Sequence, residues 1–445
     1  MAVIPLGIGS YRRASGFVPE VVLRNLYLEK DQSGISPDNT LRIQRPGLTR
    51  IASVGAYPIE GLHYRTSTGE RLAVSAGTFY VNEVASGMLG NLGRVAMVST
   101  PFASLIVSGG DLYIWDTVLT GLQLPDDAPS NGYVQDVDQL NGYGIVLQPN
   151  GRFYWIVPGQ TTIDPLNYAT AESLPDKAKA VRRLGDEFWI FGDENVEVWQ
   201  ATGDLDAPFQ RANGRNYERG CLYRDAVRRF DNTLVWIGDD NQVYRGSSVP
   251  QVISDSGIAE RIRRAAGDCS ATTFGIDGHS FYVLTIPGQG TFAYDAATQA
   301  WSEFSTAATG GWIAQTGYQV NGSIIMGSGL DGRLFRVDAN AFTDDGAAFE
   351  RAVTGLVAIS GKRPRNDSLS VGVGASDQAT IRIRWRDGQD DYPAVYEEVD
   401  AFAPYDIATI WRLGMPEQPY REVEVSCVDP VGVRFSGMMA NEAWR

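Results

Sequence analysis

The chain has 445 residues, 43% of them hydrophobic, with 49 glycines and a formal net charge of −15. The apolar content excludes a disordered chain, and the acidic excess argues against duplex binding through a basic surface, since Lys and Arg contacts to phosphate dominate such affinity. A chain of this length exceeds one ordinary core, so several domains or one large repeat architecture are expected.

The cysteines Cys221, Cys269 and Cys427 are far apart, odd in number and without CxxC spacing. That is no disulfide framework, and it points to a reducing place of synthesis. The start of the chain lacks a signal-peptide core, and no run approaches the roughly 20 apolar residues that span a bilayer. Cytosolic synthesis without a membrane span is therefore expected. Lysine occurs only at Lys30, Lys177, Lys179 and Lys362, and the arginines that replace it elsewhere suit bidentate pairing at interfaces.

Residues 1–57 read as an N-terminal arm with strands. Arg12 and Arg13 stand in a Gly/Ser-containing stretch, an apolar segment with imperfect alternation follows from Phe17 to Leu28, and DQSGISPDNT is a loop by composition. RPG at 45–47 then turns the chain toward a repeat.

The repeat occupies 58–345. Its unit is a hairpin, clearest as SIIMG, a glycine-rich turn and GRLFRV at 323–337. Five copies share Gly or Asn, any residue, an apolar residue and an aromatic: Gly77 to Tyr80, Gly110 to Tyr113, Gly151 to Tyr154, Asn241 to Tyr244 and Gly332 to Phe335. Two looser copies end on Trp199 and Tyr294. The aromatics recur at intervals from 33 residues (Tyr80 to Tyr113) to 50 (Tyr244 to Tyr294). Repeats of about 40–50 residues with several strands each are what propeller blades give, because a blade buries its faces only against its neighbours. A seven-bladed β-propeller is the expected fold, and the uneven intervals leave a pair of β-sandwiches as its competitor. IEGLHYR and DAVRRF read as flanking strands of blades. The fifth blade carries a helix over 255–266, capped by Asp255 or Ser256, with Ile258 and Ile262 on one side and arginines in its last turns.

Residues 346–445 lose the repeat. AVTGLVAI, SLSVGVG, TIRIRWRDG, TIWRLG, YREVEVSCVD and VGVRFSG alternate as strands and predict a C-terminal β-sandwich. Its basic loop GKRPRND holds Lys362, Arg363 and Arg365. With Arg12 and Arg13, these are the candidate contacts to a neighbouring subunit or adaptor; solvated loop charges are the plainer alternative.

No catalytic constellation emerges. His63 and His279 are the two histidines; neither joins a nucleophile and an acid in a recognisable motif, and no His/Cys spacing suits zinc. Asp204 with Asp206, and Asp239 with Asp240, are weak candidates for a carboxylate pair, since Asp is common in β-turns without function. YDAATQAW at 294–301 looks like a single kelch repeat. No cofactor motif is present, and the expectation is a non-enzymatic protein, with a carbohydrate-active or carbohydrate-binding propeller as the alternative.

Several longer segments carry a resemblance: LRNLYLEK around Asn25, RPGLTR at 45–50, PLNYATAESLPD at 165–176, EVWQATGDLDAPFQR at 197–211, ERGC at 218–221, and FGIDGHSFYVLTIPGQGTFAYDAATQAWSEF at 274–304. Together they resemble the packaged-DNA stabilisation proteins of short-tailed phages, the tail hub or nozzle beneath the portal. The resemblance implies a virion protein, made in the host cytoplasm, that assembles as a homo-oligomeric ring, a hexamer, below an adaptor ring. It implies retention of packaged DNA until ejection, passage of the duplex without tight binding, and attachment of fibres or spikes and of a plug or needle.

Overall fold

The computed structural model describes residues 2–11, 20–125, 128–171, 177–306, 310–358, 366–388, 391–393, 395–414 and 420–440. Each repeated hairpin forms the two central strands of a four-stranded antiparallel sheet, and seven such sheets make the blades of a β-propeller. Blades 1 to 6 span 59–88, 96–122, 136–170, 180–217, 228–252 and 270–304, and blade 7 begins at 314. The aromatics Tyr80, Tyr113, Tyr154, Trp199, Tyr244, Tyr294 and Phe335 all lie on the third strand of their blades. At the turn before that strand Gly77, Gly110, Gly151 and Asn241 have φ of 71°, 97°, 84° and 65°, a left-handed conformation that Gly and Asn adopt most readily. Gly332 is selected by crowding instead: a Cβ there would lie 2.1 Å from the Val54 carbonyl oxygen.

Alternating apolar residues face the next blade and bury against it. Leu72 and Phe79 of blade 1 pack with Ile106 and Trp115 of blade 2, and the indoles of Trp189 and Trp236 from blades 4 and 5 meet edge to face at 6.2 Å. The cluster of Ile59, Leu62, Ile325 and Leu334 joins the last blade to the first.

Blade 7 takes its fourth strand from the other end of the chain. Gly47–Ser53 pairs antiparallel with Arg333–Asp338, Leu48 opposite Val337 and Arg50 opposite Phe335. The sequence reading placed 1–57 outside the repeat, and for this strand the structure differs. GLTRIAS pairs across nearly the whole repeat rather than with a hairpin neighbour, so no local turn signal marks it. Closing the ring with an early strand removes the exposed edge that a linear stack of blades would leave.

The rest of the arm joins the C-terminal strands in one sandwich. One layer runs Leu26–Lys30, Thr40–Gln44, Val433–Ala440, Asn366–Ala375, Tyr405–Gly414, with Ala2–Ile4 also on Val433–Ala440. The other runs Leu23–Arg24, Arg351–Ala358, Tyr420–Cys427, Ala379–Asp387, Glu397–Ala401. Ile4, Leu23 and Leu28 share its core with Val371, Ile383 and Val425. The arm is thus part of the sandwich rather than an appendage. Glu397–Ala401 was missed in sequence because EEVDA is an edge strand with mostly charged, exposed positions. The second layer also continues into blade 6, where Arg24 aligns parallel with Glu303, giving one nine-stranded sheet.

The helix forms at 256–263 with Asp255 as its cap, the carboxylate accepting from the Gly257 and Ile258 amides. Ile258 and Ile262 are buried, as the spacing requires.

Candidate functional site

Two motifs behind the family resemblance meet at the junction of propeller and sandwich. Asn25 holds φ 54°; its side-chain oxygen accepts from the Ser305 amide at 2.8 Å and from Arg45 Nε at 2.7 Å, and its amide nitrogen donates to the Glu350 carbonyl at 2.7 Å. Arg45 is fully buried. Its guanidinium forks onto Asp344 at 3.0 and 2.7 Å, donates to the Ser305 carbonyl at 2.9 Å, and lies 3.9 Å from the centre of the Phe349 ring. Thr306 adds a hydroxyl to the same Asp344 oxygen at 2.6 Å. Arm, blade 6 exit and the entry to the C-terminal strands are therefore held by one polar cluster. Beside it Arg24 contacts Glu303 at 3.3 Å and Glu350 at 2.9 Å.

The residues singled out for chemistry are dispersed. His279 Nδ1 is 2.9 Å from Asp295, which also accepts from the Thr298 hydroxyl at 2.7 Å and the Ala297 amide at 3.0 Å. The hydrogen bond to Asp295 raises the His279 pKa above its ordinary value. The kelch-like YDAATQAW is this turn, and Trp301 at its end donates to the Ile253 carbonyl at 2.7 Å, tying blade 6 to blade 5. Asp206 and Asp204 serve one turn, where the Asp206 amide donates to Asp204 at 3.0 Å. Asp239 accepts from the Gly220 amide at 3.0 Å, and Asp240 from the Tyr244 hydroxyl at 2.7 Å. Among the described residues no group of three or more His, Cys, Asp and Glu is placed to hold a metal ion. Cys221, Cys269 and Cys427 are buried and free, and burial pushes the thiols of Cys221 and Cys269 up to about 12. Arg12, Arg13, Lys362, Arg363 and Arg365 lie outside the described residues.

The propeller axis holds a charged cluster that sequence reading did not find. A cavity of about 260 Å³ is lined by the inner strands of all seven blades, including His63, Asp138, Arg182, Arg228, Arg229 and Thr272. DAVRRF does supply an inner strand, but its arginines converge with Arg182 only once the ring closes. Arg182 bonds Asp136, and Arg224 pairs with Asp225 at 3.2 Å. His63 Nε2 is 2.8 Å from the Ser99 hydroxyl. Burial, then the charge of Arg229, pushes its pKa down to about 4, so the ring is neutral at pH 7.

Blades, closure strand and junction define a β-propeller whose polar clusters bind its own parts together. The chain matches over residues 2–341 the phage-stabilisation family described as bacteriophage P22 Gp10, β-propeller; it belongs to that family and is thereby a phage structural protein. No curated protein matches the sequence. Among solved structures, the computationally designed protein Ika8 is similar with 12% identity and a TM-score of 0.39, over 76% of this chain and 98% of its own. BBS1N, crystallised in complex with ARL6DN, is similar with 11% identity and a TM-score of 0.42, over 66% of this chain and 97% of its own. Likeness at that level bears on neither fold nor function. Among the described residues no helix is long and apolar enough to cross a membrane.

Proposed function

We propose that the protein is the tail hub, or nozzle, of a short-tailed phage. Copies arranged as a ring, six by expectation, continue the DNA channel below portal and adaptor, retain the packaged genome and carry spikes or fibres and a plug. Membership of the family over 2–341 carries this reading. The propeller's own axis is too narrow for a duplex, because the cavity there is about 260 Å³ and walled by side chains, so the conduit is the lumen between copies. A net charge of −15 suits a wall past which phosphates move without binding.

The sandwich is the part suited to build the ring. Tyr405–Gly414 ends one layer and Glu397–Ala401 ends the other. Between them a cleft of about 1170 Å³ is lined by Val399, Ile410, Trp411 and Arg412, and Trp411 is 65% exposed. An edge strand of ten residues that carries an exposed large aromatic invites a partner. Arg363 and Arg365 precede the strand that pairs with it in this layer, and with Lys362, Arg12 and Arg13 they supply contacts to a neighbour or adaptor in this proposal.

Negative-stain class averages of the purified protein mixed with its adaptor ring test the assignment. Closed rings are expected, weakened by Trp411→Asp and by the double change Arg363→Glu, Arg365→Glu, with the propeller still folded. Protein that stays monomeric with its adaptor at all concentrations would remove the hub reading.

A further inference from the structure

The propeller shaft holds more positive charge than its own carboxylates neutralise. Arg182, Arg228 and Arg229 line the cavity, and Arg94 and Arg224 lie close enough to act on its charges. Among the described residues, Asp136, Asp138 and Asp225 stand against these five guanidinium groups, three carboxylates, which leaves an excess of two positive charges in a chain whose net charge is −15.

The pairing is also uneven. Arg182 has Asp136, Arg224 has Asp225, and Arg229 reaches Asp138 at 4.0 Å. Arg94 donates to neutral partners, the Ser270 hydroxyl at 2.7 Å and the Gln315 side-chain oxygen at 3.2 Å. Among the described residues Arg228 donates to main-chain carbonyls, those of Ala271 and Val227, each at 2.8 Å. Burial, together with the nearby charges of Arg182 and Arg94, pushes its pKa down to about 10 although Asp225 opposes them. A buried cation held in this way, bonded to carbonyls rather than to a carboxylate among the described residues, is unfavourable until a counter-charge arrives.

We propose that the shaft is a binding site for a small molecule bearing a phosphate group, seated among Arg228, Arg182 and Arg229 with the hydroxyls of Thr272 and Thr273 beside it. The arginine fork matches phosphate oxygens bidentately. A phosphate monoester carries about −1.5 to −2 near pH 7, which balances the excess of two. The cavity, about 260 Å³ and lined by those residues, has room for the phosphate and a small substituent; a duplex is excluded. Occupancy would tie together the inner strands of blades 4, 5 and 6, and it does not depend on the hub reading.

Calorimetric titration of the full chain with sodium phosphate, against sodium chloride at matched ionic strength, tests the site. One saturable phosphate per chain is expected, with a rise in thermal midpoint and a shift of the His63 imidazole resonance but not that of His279. Arg228→Gln should lower phosphate affinity about tenfold or more. It should fold at least as well as the parent in chloride, because the unpaired cation is gone. If Arg228→Gln fails to fold, Arg229→Gln, whose parent side chain is 53% exposed, carries the same test. Titration with a hexose 6-phosphate separates the sources: tighter binding than inorganic phosphate assigns a sugar phosphate, and equal or weaker binding assigns the free ion. Absence of saturable phosphate binding to the parent, or unchanged affinity in the variant, overturns the proposal.

Discussion

Replacing Arg45 with Ala should uncouple propeller from sandwich. The change removes the bidentate bonds to Asp344 at 3.0 and 2.7 Å, the bonds to Asn25 and Ser305 at 2.7 and 2.9 Å, and the stacking over Phe349. It leaves Asp344, which is 4% exposed, with the Thr306 hydroxyl but no cation. Breaking a buried pair from one side costs about 3–5 kcal/mol, most of it the uncompensated charge. The paired change Arg45→Met with Asp344→Leu removes both charges and should recover most of that loss, since apolar replacement of a buried pair is often close to neutral. Urea unfolding followed by tryptophan fluorescence gives the loss, and calorimetry shows whether one transition becomes two, the expected sign of a weakened junction. A loss under about 1 kcal/mol for Arg45→Ala, or a double variant no better than the single one, would refute the view that this charge pair holds the junction.

Gly332→Ala drives a Cβ to 2.1 Å from the Val54 oxygen and 2.4 Å from that of Gly55, at the closure of blade 7. It should cost about 1–3 kcal/mol or more and admit protease near 47–57, whereas Gly121→Ala, with no atom within 4 Å, should be close to neutral. The lowered pKa of His63, about 4 against the ordinary 6.5, means the unfolded chain takes up its proton first as pH falls. The stability it contributes is therefore complete above 6.5 and lost on the way down to 4, about 3 kcal/mol at most; His63→Asn should flatten that limb of the urea-stability profile, and an unaltered profile would contradict it. Asp255→Ala removes the cap bonds of 2.8 and 2.9 Å to Gly257 and Ile258 and should cost about 1 kcal/mol, read from the shift in urea midpoint.

What was legible in the sequence follows the range of the interactions. The hairpins were visible because strand, turn and strand are neighbours, and the same aromatic on the third strand of each blade marks the period. The helix cap was visible for the same reason. Gly47–Ser53 was assigned elsewhere because its partners lie at 333–338 and nothing in GLTRIAS points to them. Arg45 looks like a surface residue in a one-dimensional reading, yet it is 0% exposed, because its carboxylate Asp344 comes into place only with the fold. The shaft cluster is of the same kind: Arg182 and Arg228 belong to different blades, and their convergence is a property of ring closure.

The path of the chain also bears on how a ring of such subunits would behave. Ala2–Ile4 pairs with Met438–Ala440, Leu23 and Arg24 align with Val353 and Ala352, and Gly47–Ser53 closes blade 7. The early residues are therefore held at three places by strands made much later, a topology rich in non-local contacts that folds slowly. In return, the sandwich is not tethered to the propeller by a loose linker. Backbone pairing of Arg24 with Glu303, the Asn25 amide donating to the Glu303 carbonyl at 2.7 Å, and the Arg45 cluster fix one body against the other. A ring assembled through the sandwich edges would consequently present its propellers at a set angle. Spikes or fibres docked on them would then be registered to the channel by hydrogen-bonded sheet, without dependence on flexible joints.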